Sequence, residues 1–420
     1  MHKRSFLFVT LSFIVLFIAA CNSESPEDND PNENSQDTED EGGSSMKEVS
    51  EASNLLAFQS IQSLDPNDDG NVFVSPTSYW LAMAMVYNGA NGDTRSEMDQ
   101  ALQLQGMNVE DFNRQNAALM DHFTNVNDEK LELNIANSIW LNQEYEFLDT
   151  FHQSVTDTYE AELAHLTTPE PINEWVSNQT NGKIKDIIKQ IDHEHVAILV
   201  NATYFNGAWT YPFDENNTQE RTFHKEDDSS VDVPFMALNE NVPYLETDQM
   251  QAVSLPYGEN EDMQMELFLP KEDIAMDDFL EEFTLENWQE WRDSMETTKG
   301  NLRMPKFSLE YETELQNFFQ SLGMQQPFDT QEADFSNMID QEQLGDLYID
   351  KIVHKTFLDV DEEGTEAAGA TSVEMKTTSI EIGESFDMEV NRPFLLTISD
   401  NETDTILFMG MIHEPTSTDE

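Results

Sequence analysis

Residues 361–382 read DEEGTEAAGATSVEMKTTSIEI, and both fold and function turn on how this stretch is read. Every second residue from Thr365 is uncharged and mostly small: Thr365, Ala367, Gly369, Thr371, Val373 and Met375. The interleaved set, Glu366, Ala368, Ala370, Ser372, Glu374 and Lys376, holds all the charges of the interval. Successive strand side chains point to opposite faces, so the segment can form a half-buried strand with a small, uncharged inner face. Its glycines and alanines give it little β-propensity, and the run from Glu362 to Ala370 also contains helix formers. Composition alone leaves strand and helix equally open. The stretch is compatible with a sheet without being committed to one.

Outward from it, a chain of 420 residues with 38% hydrophobic and 10% aromatic residues has the material for a large core. Helical spacing of apolar residues predicts helices over 46–64, 78–87, 111–123 and 275–291. Runs at 131–141, 197–205, 241–255, 263–269, 302–309 and 347–360 read as strands. Three short β-like runs follow within 386–412, split by Asn391-Arg392-Pro393 and Ser399-Asp400-Asn401. Helices precede most strands and there is no βαβ alternation, which favours an α+β fold with a largely antiparallel sheet. The periodicity begins at Met46 and continues almost to the end, so 46–420 reads as one folded unit without internal repeats.

The N-terminus reads as an export signal. His2-Lys3-Arg4 precedes an apolar run, 5–20, that is short for a transmembrane helix. It ends Ile18-Ala19-Ala20-Cys21, which resembles the bacterial lipobox and implies cleavage before Cys21 and lipidation of its thiol; the alternative is an ordinary signal peptide with a coincidental Cys. This is the one Cys of the chain, so the exported protein has no internal disulfide. Residues 21–45 carry nine acids, no Lys or Arg and almost nothing apolar, and read as a disordered tether between lipid and domain. The expected location is the extracellular face of the cell membrane.

With 20 Lys+Arg against 84 Asp+Glu, the net charge is −64. Nucleic acid is a poor partner for such a chain, as is a naked anionic surface. The carboxylates read as a halophilic surface, since at 1 M salt the Debye length shrinks to about 3 Å and self-repulsion is screened.

Several patterns that suggest chemistry fail on inspection. Asp65-Pro-Asn67-Asp-Asp69-Gly70 copies the start of a calcium loop, but Pro76 stands where the bidentate acid belongs, so a tight turn before a strand is expected. His193-Glu-His195 lacks a third ligand nearby. There is no GxSxG, HExxH, GxxxxGK or GxGxxG. No cofactor, metal or catalytic constellation is expected, and the chain does not read as an enzyme.

A resemblance resolves the opening stretch. Glu362, Glu363, Gly364, Thr365, Glu366, Ala367, Ala368, Gly369, Ala370 and Thr371 resemble the reactive-loop hinge of the serpin family. An ordered series accompanies them: Asn71-Val-Phe-Val-Ser75-Pro76, Asn88-Gly-Ala-Asn-Gly-Asp-Thr94, Ile172-Asn-Glu-Trp175, Thr180-Asn-Gly-Lys183 and Val200-Asn201-Ala-Thr-Tyr-Phe205 with Trp209 and Phe213. Leu255-Pro-Tyr257, Met304-Pro-Lys306-Phe, Ala333-Asp-Phe-Ser336, Val353-His354-Lys355, Arg392-Pro-Phe394 and Ile406-Leu-Phe-Met-Gly410 complete it over about 46–415. Each motif alone is weak; their order and spacing together are specific.

The resemblance implies one domain of three β-sheets with eight or nine helices and an exposed reactive-centre loop at about 362–390. It also implies suicide inhibition of serine proteases, in some members extending to cysteine proteases. The protease cuts the loop, and the loop's N-terminal half inserts into the main sheet and traps the acyl-enzyme. Counting along the family's loop places the reactive bond at Thr378–Ser379, with Lys376 as runner-up. Thr378 suits proteases with shallow primary pockets, elastase-like or subtilisin-like. Ser75, Ser78, Asn201 and His354 match the family's polar cluster where the sheet opens, and Trp209, Lys306 and Glu362 match the point of loop entry. The expected species is a monomer whose only membrane contact is its N-terminal lipid. The competing readings are a non-inhibitory family member serving storage or binding, a solute-binding lipoprotein and a hydrolase. The small uncharged hinge residues speak against the first, the motif series against the second and the missing constellation against the third.

Overall fold

The computed structural model describes residues 41–416 apart from 105, 127, 129, 192–194, 228, 341–346 and 366–384, and the described residues fall in one compact unit. Nine α-helices occur among them: α1 (Glu41–Ile61), α2 (Pro76–Gly89), α3 (Gly92–Ala101), α4 (Val109–Thr124), α5 (Asp149–Tyr159), α6 (Pro169–Gln179), α7 (Met276–Glu282), α8 (Leu285–Asp293) and α9 (Gln316–Ser321). The strands are β1 (Val72–Val74), β2 (Leu131–Asn142), β3 (Glu162–Leu166), β4 (Ala197–Ala208), β5 (Gln219–His224), β6 (Ser230–Glu246), β7 (Met250–Tyr257) and β8 (Met263–Pro270). They continue as β9 (Glu296–Pro305), β10 (Phe307–Glu314), β11 (Lys351–Val360), β12 (Gly364–Thr365), β13 (Phe386–Glu389), β14 (Phe394–Asp400) and β15 (Ile406–Ile412).

Among the described residues the strands form two hydrogen-bonded networks where three sheets were expected. One has six strands in the order β10-β11-β12-β4-β2-β3; the other has nine, β1-β15-β14-β8-β7-β6-β9-β13 with β5 beside β6. The merger has a local cause. β6 is 17 residues long and pairs with β5 from Ser230, with β9 from Phe235 to Tyr244 and with β7 from Tyr244 to Glu246, so one strand joins what would otherwise be separate sheets.

α2 reads PTSYWLAMAMVYNG and has no polar face, as befits a helix buried on all sides. It touches β15 of one network and β4 and β2 of the other. A second, smaller core lies around α6. Ile172 and Val176 of the helix, with Ile184, Ile187 and Ile188 after it, pack on Ile198, Val200, Ala202 and Val353 of β4 and β11.

Differences from the sequence reading have identifiable causes. α1 begins at Glu41, ahead of the boundary read at 46, because its first turn, Glu-Gly-Gly-Ser-Ser, carries no apolar periodicity. The single strand read over 241–255 is a hairpin of β6 and β7, turned where the Thr247 hydroxyl accepts the Gln249 and Met250 N–H groups. The helix read over 275–291 breaks at Phe283, and Thr284 caps α8 by accepting the Asn287 N–H. The strand read over 302–309 divides at Lys306, whose N–H turns to Pro234 O.

Candidate functional site

The site is built where β4 and β11 separate. The two strands pair in parallel from Lys351↔Ile198 to Thr356↔Thr203. Beyond that point they diverge, and Gly364–Thr365 lies between them, antiparallel to both: Thr365 pairs with Val360 and Gly207, and Gly364 with Ala208. The turn into β12 is closed by Asp361, whose carboxylate accepts the Glu363 and Gly364 N–H groups at 2.8 and 3.1 Å. Burial nevertheless pushes the Asp361 carboxyl above its ordinary range. A side chain at position 364 has no room, since a Cβ there would meet Gly207 O at 2.1 Å and Ala208 Cα at 2.7 Å. Thr365 is 1% exposed, and its Oγ1 lies 2.6 Å from the Tyr257 hydroxyl. The residue that begins the uncharged set of the alternation is thus the one turned into the core.

Next to this wedge are the three residues matched to loop entry. The Trp209 indole N–H donates to Asp361 O at 2.9 Å, its backbone N–H donates to Glu363 O, and its ring stacks on Tyr257 at 4.4 Å. Lys306 Nζ donates to Glu362 Oε2 at 2.9 Å, while Glu362 Oε1 accepts from the Thr218 hydroxyl at 2.5 Å. Burial pushes Glu362 up, but the Thr218 and Lys306 hydrogen bonds outweigh it and hold the carboxyl below its ordinary range. Lys306 is likewise pushed down by partial burial and more than recovered by Glu362.

Further along the seam, three of the four residues matched to sheet opening form a chain of hydrogen bonds. The Ser75 N–H donates to His354 Nε2 at 3.1 Å, so the ring proton sits on Nδ1 and is donated to Asn201 Oδ1 at 2.8 Å. Asn201 Nδ2 then donates to Asn137 Oδ1 at 2.6 Å. The Ser75 hydroxyl donates to Leu407 O of β15, in the nine-stranded network. His354 is fully buried with its ring edge-on to Tyr79, and burial lowers its pKa to about 3. Ser78 is buried beside them, but its hydroxyl has no hydrogen-bond partner among the described residues.

Glu363 and Gly364 lie in the wedge; Glu366, Ala367, Ala368, Gly369, Ala370, Thr371, Lys376, Thr378 and Ser379 lie outside the described residues, as does Cys21. Sequence reasoning missed Asn137, Thr218 and the contact made by Tyr257. Asn137 had a signal, a lone amide inside the apolar run Ile135–Leu141. Among the described residues no group of three or more His, Cys, Asp or Glu is arranged to hold a metal. The calcium-like segment is a turn in which Asn67 Oδ1 accepts the Asp69 and Asn71 N–H groups. Among the described residues no helix is long and apolar enough to cross a membrane.

A family model described as serpin (serine protease inhibitor) matches residues 51–415. An uncharacterized serpin-like protein of Methanosarcina acetivorans is 32% identical over 441 aligned positions that cover 99% of each chain. The leukocyte elastase inhibitor of Bos taurus is 32% identical over 389 positions, covering 88% of this chain and 100% of that one. The crystal structure of a thermophilic serpin, tengpin, in the native state matches with a TM-score of 0.80 and 30% identity, over 90% of this chain and 96% of that one.

Proposed function

The chain belongs to the serpin family, whose members typically inhibit proteases, and from that premise we propose that it is a suicide inhibitor of serine proteases. One observation carries the reading: β4 and β11 are already parted, and Gly364 and Thr365 of the hinge lie between them. In the proposed reaction the protease serine oxygen attacks the carbonyl carbon of Thr378. The Thr378–Ser379 peptide bond breaks, the departing Ser379 amine takes its proton from the protease histidine, and an ester joins the two proteins. The freed N-terminal half of the loop then extends β12 along the seam. β12 runs antiparallel to both neighbours, so its extension replaces one parallel β4–β11 pair by two antiparallel ones, the more stable arrangement per residue. Insertion carries the protease away from its substrate geometry before water can hydrolyse the ester.

The residue before the cut, Thr378, fits a shallow primary pocket, and a relative at 32% identity is named for inhibition of leukocyte elastase. The reading includes a monomer held to the outer face of the membrane through lipid on Cys21. Incubation with an elastase-like protease should give a complex that survives a denaturing gel, and a small C-terminal fragment beginning at Ser379 by mass spectrometry. A fragment beginning at Thr377 moves the reactive bond to Lys376, and the absence of a denaturation-resistant complex with any of a panel of serine proteases removes the inhibitory reading. Cys21→Ala should release the protein from the membrane fraction or leave it unprocessed; unchanged fractionation and processing removes the anchor.

A further inference from the structure

Tyr257 stands at the last position of β7, in the nine-stranded network, yet its hydroxyl reaches a residue of the other sheet. Backbone contacts fix it there. Trp209 and Tyr257 form a bridge, Thr210 N–H donates to Pro256 O at 2.9 Å, and Gly258 N–H donates to Ala208 O at 2.8 Å. These bonds tie the end of β7 to the end of β4. The ring is held between Trp209, stacked at 4.4 Å, and Phe205, edge-on at 5.1 Å. Tyr257 is 0% exposed, so its hydroxyl has no bulk water to turn to, and its partner is Thr365 Oγ1 at 2.6 Å.

We infer that Tyr257 is a positioning residue for loop insertion: its hydroxyl holds Thr365 in the sheet before any protease arrives, so that insertion extends a strand already begun. The inference rests on the inhibitory reading for its consequence, though not for the latch itself. The backbone of β12 could be paired with any side chain at 365. What the Tyr257 hydroxyl adds is selection for a hydroxyl on the inward face. An apolar residue at 365 leaves a buried donor without a partner, and the cost of an unmade buried bond is larger than the gain of a made one. Starting a strand is the unfavourable part of ordering one, because the first residues are fixed for few bonds. With Thr365 seated, that step is complete when the ester forms, and insertion competes better with hydrolysis.

The test uses the full chain with Tyr257→Phe, Thr365→Val, the double variant and Thr365→Ser. Amide hydrogen exchange of the segment around 357–365 in the free protein reads the latch. Each single apolar variant should speed exchange there about tenfold, equivalent to about 1.4 kcal/mol of lost protection. The double variant should be no worse than either single one, since it leaves no orphaned hydroxyl, and Thr365→Ser should match the wild type. With protease, the ratio of cleaved free inhibitor to trapped complex should rise by a similar factor in each single variant and no further in the double variant. A purely structural role for Tyr257 predicts effects that add independently of residue 365, and that outcome overturns the proposal, as does unchanged exchange in Tyr257→Phe. If exchange responds as stated while the wild type forms no complex, the inhibitory reading has failed and the latch stands.

Discussion

Lys306 and Glu362 meet across the mouth of the seam at 2.9 Å, but they are not equal partners: the lysine side chain is 43% exposed and the glutamate 7%. Removing the glutamate returns Lys306 to water. Removing the lysine strands a mostly buried carboxylate with the Thr218 hydroxyl and its own backbone N–H but no cation against it.

Lys306→Met should therefore destabilise the protein more than Glu362→Gln, by roughly 1–3 kcal/mol against less than about 1. Urea unfolding of the two variants checks the order. The pH dependence follows from the lowered Glu362 carboxyl. The pair's contribution is fully present above that group's ordinary value of 4.5 and is lost as pH falls through the lowered folded value. Equal effects of the two substitutions would show that the buried end does not govern the pair.

His354 sets a second pH dependence of definite sign. Its ordinary value of 6.5 falls to about 3 in the fold because burial disfavours the charged ring. Between those values the unfolded chain binds a proton that the folded chain does not, so stability is full above 6.5 and falls on acidification. One such group contributes about 1.4 kcal/mol per pH unit across that window. Protonation would also turn Nε2 from acceptor to donor, facing the Ser75 N–H. His354→Phe should be less stable at neutral pH, because it removes the partner of the Ser75 N–H and of Asn201 Oδ1, and its stability should decline less steeply between pH 6.5 and 3. Parallel stability curves for variant and wild type would contradict this.

Ser75, Asn201 and His354, like Trp209, Lys306 and Glu362, were legible through the resemblance carried by the ordered motif series, not by any pattern local to each residue. Tyr257 was not, because its partner lies 108 positions away in the other network, and nothing local marks a tyrosine that ends one sheet and seals another. Helices α3, α5 and α6 escaped the periodicity reading because their buried stripes are narrow: Thr94, Met98 and Ala101; Phe151, Val155 and Tyr159; Ile172 and Val176. The merger of two sheets through β6 depends on strand length and pairing, and hydrophobic alternation records neither.

The charge of −64 should make the fold salt-dependent. At low salt the carboxylates repel over distances comparable with the whole domain, and at about 1 M chloride the screening length falls to about 3 Å. The thermal midpoint should rise from low to molar sodium chloride. Chloride is the salt of choice because sulfate would strengthen apolar burial regardless of charge. A flat midpoint would mean that the acids are not a salt adaptation.

On the proposed inhibitory reading, Thr365→Arg should turn the protein from an inhibitor into a substrate. Position 365 is 1% exposed, between β11 and β4 and against the Tyr257 hydroxyl. An arginine there must either carry its charge into that seat or keep the hinge out of the sheet. Among the described residues no acid hydrogen-bonds or pairs with the side chain at 365, and an uncompensated buried charge costs about 3–5 kcal/mol. The cost falls on insertion and not on the initial attack, because the proposed cut at Thr378 is 13 residues further along the chain. Each 1.4 kcal/mol added to the insertion barrier slows it about tenfold, so insertion should slow relative to hydrolysis by roughly a hundredfold or more. The variant should still be cut at the same bond, release active protease and accumulate as free cleaved protein. The measurement is the number of inhibitor molecules consumed per protease inactivated, titrated at fixed protease. If that number stays near one for Thr365→Arg, trapping does not proceed through the Gly364–Thr365 wedge, and the parted ends of β4 and β11 serve the resting fold alone.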